Sequence, residues 1–300
     1  MKIKSKIFYC YVALVATYIA VMLLPAPDPA TLTRYHLSIL SLRLLDFTII
    51  IPMAAIWYAA FYGYTKLHAY GQLIKDNKDG KQVARLARGL LTLAIGLPLS
   101  SILSNALHVI ARDHPSFTGG ATIIGNYGAV LYPLIAFLFI SMGARGLSEL
   151  AKSRPTYLTL NVVALTVIVL GVVFCDLIAR SHHNIVTSYH LTYSLVMLTL
   201  AIPYMYVWFL GLFATVEIYV YSRKVAGIVY RKGWNKLALG FGAIILFSIV
   251  LQYLTTLSSW LTGLSLSGIL LLLYVLLLLL ASAYIVVALG TKELMKIEEA

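Results

Sequence analysis

The chain has 300 residues, of which 61% are hydrophobic and only 11% charged, and its formal net charge is +12. Soluble domains carry about 25% charged residues, so this composition excludes an ordinary soluble fold and places the chain in a bilayer. The positive charge requires no nucleic acid, because a basic rim beside anionic lipid accounts for it, and membrane lipid is the expected partner.

Crossing a hydrocarbon core of roughly 30 Å takes about 20 apolar residues. Runs of that length fall at 7–25, 40–63, 89–110, 123–144, 157–179, 192–216, 237–258 and 264–289. They predict an all-α polytopic membrane protein with eight transmembrane helices. The first run follows MKIKSK and precedes PAPDPA, so it has the outline of a signal peptide. It is read as a retained helix, because its counterpart in the second half, at 157–179, is internal.

The second run carries Arg43 and Asp46 three residues apart, with His36 seven residues before Arg43; this spacing places the pair on neighbouring turns of one helical face. Pro52 lies further along, and the helical pattern runs on through FYGYTKLHAYGQLI to about residue 76, where KDNKDGK predicts a polar turn. This stretch, about 66–88, is the longest polar one and is too short to build a soluble core. The third run sets Ser101, Asn105 and His108 at i, i+4, i+7. Asp176 closes the fifth run, His190 and Pro203 mark the sixth, and Glu217 near the end of the sixth is expected to reach the interface, where hydration is cheap. The seventh carries Gln252, Thr256 and Ser259 at the offset of the third-run stripe. Tyr62, Tyr64, Tyr70, Tyr219 and Tyr221 fit an interfacial aromatic belt.

The two halves share a pattern. TIIIPMAAIW at 48–57 and TLAIPYMYVW at 199–208 place Thr, Ile, Pro and Trp at one spacing, 151 residues apart. LARG at 86–89 falls on LALG at 237–240, TRYHL at 33–37 pairs with TSYHL at 187–191, and ARGLSELAK at 144–152 with ALGTKELMK at 288–296. Ordered matches of this kind predict a duplication into units 1–155 and 156–300. A unit with four spans enters and leaves on one side, so its copies are parallel repeats about a pseudo-twofold axis along the membrane normal. Pro52 is then expected to superpose on Pro203, and Trp57 on Trp208.

Nineteen of the 23 lysines and arginines fall in the N-terminal tail, the connections 66–88, 145–154 and 223–236, and the C-terminal tail. Positive-inside bias predicts cytoplasmic termini in a plasma or inner membrane. Cys10 and Cys175 both lie within spans, so no disulfide framework or Cys-rich metal site is indicated.

Ionisable and polar groups inside spans are functional candidates by default. Here they gather toward the outer leaflet: Arg43, Asp46, Ser101, Asn105, His108, Gln252, Thr256 and Ser259 as a ligand-binding set, with His36, His190 and Asp176 as proton-sensing candidates. His36 and His190 are repeat mates at one depth, as bis-imidazole haem ligation would require, but only His68 is available toward the inner face for a second haem. No metal, cofactor or catalytic residue is assigned, since there is no Walker motif, nucleophile elbow, paired catalytic carboxylates or intramembrane lysine.

RYHLS, LRLL, IIIP, IW and AFYGY in the first half, with the KDGK turn, resemble uncharacterised duplicated eight-helix membrane proteins of small-genome bacteria. The resemblance implies the topology and carries no activity. The reading that follows from the residues is a small-solute transporter with an outward-facing polar site for a small-molecule ligand between the third and seventh spans. Two alternatives are a non-transporting sensor or assembly subunit, docking a membrane or cytoplasmic protein partner through its basic loops, and an outer-leaflet enzyme acting on lipid-linked substrates through His36, His108 and Asp46.

Overall fold

The computed structural model describes residues 2–23, 39–75, 77–113, 118–150, 190–225, 227–257 and 266–296. These form seven helices and no strand: α1 (Lys2–Leu23), α2 (Ile39–Leu73), α3 (Lys78–Asp113), α4 (Thr118–Leu150), α5 (His190–Lys224), α6 (Ile228–Leu257) and α7 (Leu266–Met295). The span expected at 157–179 lies outside the described residues. Among the described residues, five stretches are long and apolar enough to cross a membrane, namely Lys78–Leu103, Leu131–Glu149, Tyr204–Lys224, Tyr230–Leu251 and Leu271–Met295, and α1 holds a shorter apolar stretch, Tyr11–Ala20.

Pro52 and Pro203 both lie within continuous helices, α2 and α5. With 35 residues each, these helices reach roughly 50 Å at 1.5 Å per residue, well beyond the hydrocarbon core. Two tight hairpins, linked by the Tyr221–Asp79 bond, join α2 to α3 and α5 to α6 at one end of the bundle. In the first, α2 stops at Leu73, close to the predicted turn; Asn77 N–H donates to the Ile74 carbonyl (3.0 Å) and Gly80 N–H to the Asn77 carbonyl (3.0 Å). A Cβ on Gly80 would lie 2.4 Å from the Ile74 oxygen, so only glycine lets α3 start this close to the end of α2. The second hairpin turns at Gly227 with φ +99°, a left-handed conformation that favours glycine.

The helices close a ring in chain order. α2 packs on α3, α3 on α4, α4 on α5, α5 on α6, α6 on α7, and α7 returns to α2, while α1 leans on α3 and α2 from outside. Tyr11 of α1 stacks on Phe61 and Tyr18 meets Trp57 edge-on, each at 4.6 Å between ring centres. Toward the hairpin end the ring is filled: Ile56, Trp57, Leu67, Leu86, Leu90, Ile140, Ile218, Leu237 and Phe241 have no or almost no exposed surface. The outward faces remain apolar, with Ile95, Leu99 and Leu103 on α3, Leu239 and Leu246 on α6 and Leu271 on α7 all exposed. In a bilayer such side chains meet acyl chains. Helix association there depends on close packing rather than on removing apolar surface from water.

That packing uses glycine at the crossings. On α3, Gly89 faces the Ala136 carbonyl and Ile140 of α4, and Gly143 of α4 faces the Gln82 carbonyl. On α6, Gly240 faces the Ala283 carbonyl and Val287 of α7, and Gly290 of α7 faces the Gly233 carbonyl.

Candidate functional site

Beyond the filled part of the ring three tyrosines come near one another. Tyr132 of α4 lies near Ser100 of α3, whose hydroxyl donates to the Leu97 carbonyl (2.9 Å), and within electrostatic range of Tyr204 of α5 and Tyr284 of α7. Room for its ring comes from Gly96, where a Cβ would lie 2.5 Å from the Tyr132 Cβ. A phenol hydroxyl donates one hydrogen bond and accepts others, so this group can present several exchangeable polar contacts without placing a charge inside the bilayer. Sequence reasoning missed it because the residues come from four helices and share no motif.

The positions singled out in the sequence lie further from the hairpins. Ser101 is partly exposed, and its hydroxyl donates to the Leu97 carbonyl one turn earlier on α3 (3.0 Å). At 100° per residue, positions 101, 105 and 108 fall on the face of α3 that is fully buried at Leu90 and Ala94. Positions 252 and 256 fall likewise on the face of α6 buried at Phe241 and Ile245. Both stripe positions are thus outward continuations of buried faces. The side chains of Asn105, His108, Gln252 and Thr256 lie outside the described residues, as do those of Arg43 and Asp46, which keep their three-residue spacing on α2, and that of His190, the first residue of α5. Ser259, His36 and Asp176 lie wholly outside them.

The seam expected between the third and seventh spans takes a different form. α3 has α2 and α4 as its ring neighbours, and α6 has α5 and α7. A site shared by α3 and α6 therefore spans the ring rather than occupying a groove between adjacent helices, and α4, α5 and α7 contribute the tyrosines that lie in between.

A second polar group forms a belt at the hairpin end. Tyr221 Oη donates to Asp79 Oδ2 (3.1 Å) across 142 residues of sequence and joins the two hairpins. Trp234 stands edge-on to the Tyr221 ring at 5.1 Å. Ser222, fully buried, has its hydroxyl 2.6 Å from two acceptors, the Tyr219 carbonyl and Asn235 Oδ1. Its single proton can be donated to one of them at a time. Lys236 of α6 bonds Glu293 of α7 at 3.1 Å.

Two sequence expectations change here. Glu217 does not reach an interface: it is 3% exposed, bonded to Ser148 of α4, with Arg145 nearby. α5 runs on for two more turns, to Lys224, and so keeps Glu217 inside. Of the tyrosines read as an interfacial belt, Tyr64, Tyr70 and Tyr221 are buried and only Tyr219 is largely exposed, where Arg223 lies over its ring.

No family model, curated protein or solved structure matches the chain. The functional argument therefore rests on these residues alone.

Proposed function

We propose that the chain is a small-solute, permease-like carrier of the plasma or inner membrane, built from two parallel four-helix units, 1–155 and 156–300, with its hairpin end and both termini in the cytoplasm. The observation that carries this reading is the tyrosine group. Tyr132 comes from the first unit and Tyr204 and Tyr284 from the second, and they lie between a filled hairpin-end half and the two polar stripe positions on α3 and α6. A solute entering from the outside would meet the stripes first and the phenols as its floor, and the cross-unit Tyr221–Asp79 bond would help hold the cytoplasmic end shut.

Duplication is supported by the packing. A displacement of 151 residues carries buried Trp57, Leu67, Tyr70, Leu86 and Leu90 onto buried Trp208, Ile218, Tyr221, Leu237 and Phe241. It also carries Gly89 onto Gly240, whose partners Ala136 and Ile140 correspond to Ala283 and Val287. The contact of α7 with α2 has its mate in that of α4 with α5, as a twofold exchange of parallel units requires. The α4–α7 correspondence in these contacts is 147 residues, close to one helical turn away from the 144 of the ARGLSELAK–ALGTKELMK match.

Sided labelling of single cysteines, in a background with Cys10→Ala and Cys175→Ala, tests the reading. With a membrane-impermeant thiol reagent, Ser116→Cys and Ser265→Cys are expected to react from outside, and Lys78→Cys and Lys232→Cys only from inside. Asn105→Cys and Thr256→Cys are expected to react from outside although they lie within spans, whereas Leu90→Cys reacts from neither side. If positions 105 and 256 stay unlabelled while 116 and 265 react, the interior is dry and the sensor or assembly-subunit reading replaces the carrier. A reversed pattern at the loop positions contradicts the topology.

A further inference from the structure

The outward face of α6 combines cations and apolar side chains in an order that matches one molecule. Ile228, Arg231, Lys232, Asn235, Lys236 and Leu239 line a shallow open depression at its hairpin end. Positions 228, 231, 232, 235 and 239 follow i, i+3, i+4, i+7, i+11 and share one helical face. Ile228 is 86% exposed and Leu239 67%, and exposed Leu246 and Val250 continue the same face toward the middle of the bilayer. Arg231 and Lys232 are both exposed. Among the described residues, the carboxylate beside this groove is Glu293, which is bonded to Lys236 (3.1 Å) and close to Lys296 (3.7 Å), with Lys232 also within electrostatic reach. With Arg231 on the same groove, cations outnumber carboxylates among the described residues at the rim of the apolar stripe.

We propose that this face is a binding site for an anionic glycerophospholipid, with its phosphate held by Arg231 and Lys232 and an acyl chain laid along Leu239, Leu246 and Val250. Charge complementarity selects the headgroup. The guanidinium of Arg231 offers a planar fork of donors that fits phosphate oxygens, and Lys232 adds a point charge beside it. The apolar stripe selects a lipid over a free anion, because an acyl chain buried beside it contributes at every methylene. A neutral zwitterionic headgroup would bring its own cation to this cluster and lose that advantage. The site places an anionic lipid of the cytoplasmic leaflet against the hairpin between α5 and α6, independent of what the bundle carries. It rests on the sidedness proposed above only in assigning the leaflet.

The test uses the full chain in mild detergent, titrated with phosphatidylglycerol, phosphatidylcholine or inorganic phosphate, with retained lipid counted by native mass spectrometry and the thermal midpoint followed in parallel. The expected result is one tightly retained phosphatidylglycerol and a midpoint raised more by it than by phosphatidylcholine or phosphate. Arg231→Gln with Lys232→Gln should weaken retention about 30-fold, as two basic groups near an anionic partner require. The charge-matched control Lys75→Gln with Lys78→Gln at the other hairpin should leave it unchanged. The proposal is overturned if phosphatidylcholine is retained equally, if inorganic phosphate raises the midpoint as much, or if the control weakens retention as far as the α6 variant. Because binding is read in detergent, a failure here leaves the carrier reading and its labelling test untouched.

Discussion

Gly89→Leu and Gly240→Leu should each lower the stability of the purified protein by about 3 kcal/mol, the upper part of the range for overpacked cores. A Cβ at Gly89 would lie 2.4 Å from Ile140 Cγ1 and 2.7 Å from the Ala136 carbonyl oxygen; at Gly240 it would lie 2.5 Å from Val287 Cγ2 and 2.9 Å from the Val287 backbone nitrogen. Backbone cannot rotate aside as a side chain can, so in both cases the helix pair must separate. Separation removes the contacts on which helix association in lipid depends. Gly242 supplies the control, since a Cβ there first meets the Thr215 methyl at 3.1 Å. Gly242→Ala should be tolerated, helped by up to about 1 kcal/mol of helix propensity. Thermal unfolding in detergent reads all three. If Gly240→Leu unfolds no earlier than Gly242→Ala, the α6–α7 crossing is looser than described.

Glu217→Lys should be still more damaging. The carboxylate is buried beside Ser148 and near Arg145, which is itself bonded to Glu149 at 2.7 Å. An ammonium at this position would be a buried cation near Arg145, whose neighbouring carboxylate Glu149 it would have to share, and an uncompensated buried charge typically costs 3–5 kcal/mol. Glu217→Gln keeps the shape and an acceptor for the Ser148 hydroxyl and should remain within about 1 kcal/mol of the parent. Comparing membrane-inserted yield and thermal midpoint for the pair separates charge from volume. Equal stability of the Lys and Gln variants would mean that water reaches Glu217 after all.

Five of the expected spans could be read from the sequence because apolar run length sets them, and KDNKDGK sets a turn beside which α2 ends at Leu73. Helical period puts positions 101, 105 and 108 in line with Leu90 and Ala94, though the side chains at 105 and 108 lie outside the described residues. The burial of Tyr70 and Tyr221 was not legible: tyrosine is amphipathic and suits an interface or a core equally, and only contacts between the two hairpins, such as the Tyr221–Asp79 bond, decide. The Tyr132–Tyr204–Tyr284 group was illegible for another reason. Its members meet through ring closure, which local pattern does not encode. Under the duplication we propose, the sequence match sets α4 against α7 at 144 residues and the contacts of Gly89 and Gly240 set them at 147, a difference that recurring Ala, Gly and Leu along both helices allows.

The measurement that bears most directly on the two-unit account is an experimental density map of the full chain in lipid nanodiscs. It should show residues 7–152 superposing on 157–296 by a rotation of about 180° around the membrane normal, with Gly89 landing on Gly240 and Trp57 on Trp208, and a solvent-filled recess opening from the outer face onto Tyr132, Tyr204 and Tyr284. Halves related by an axis in the membrane plane, or by no axis, together with a ring packed dry through to the outer face, would contradict it.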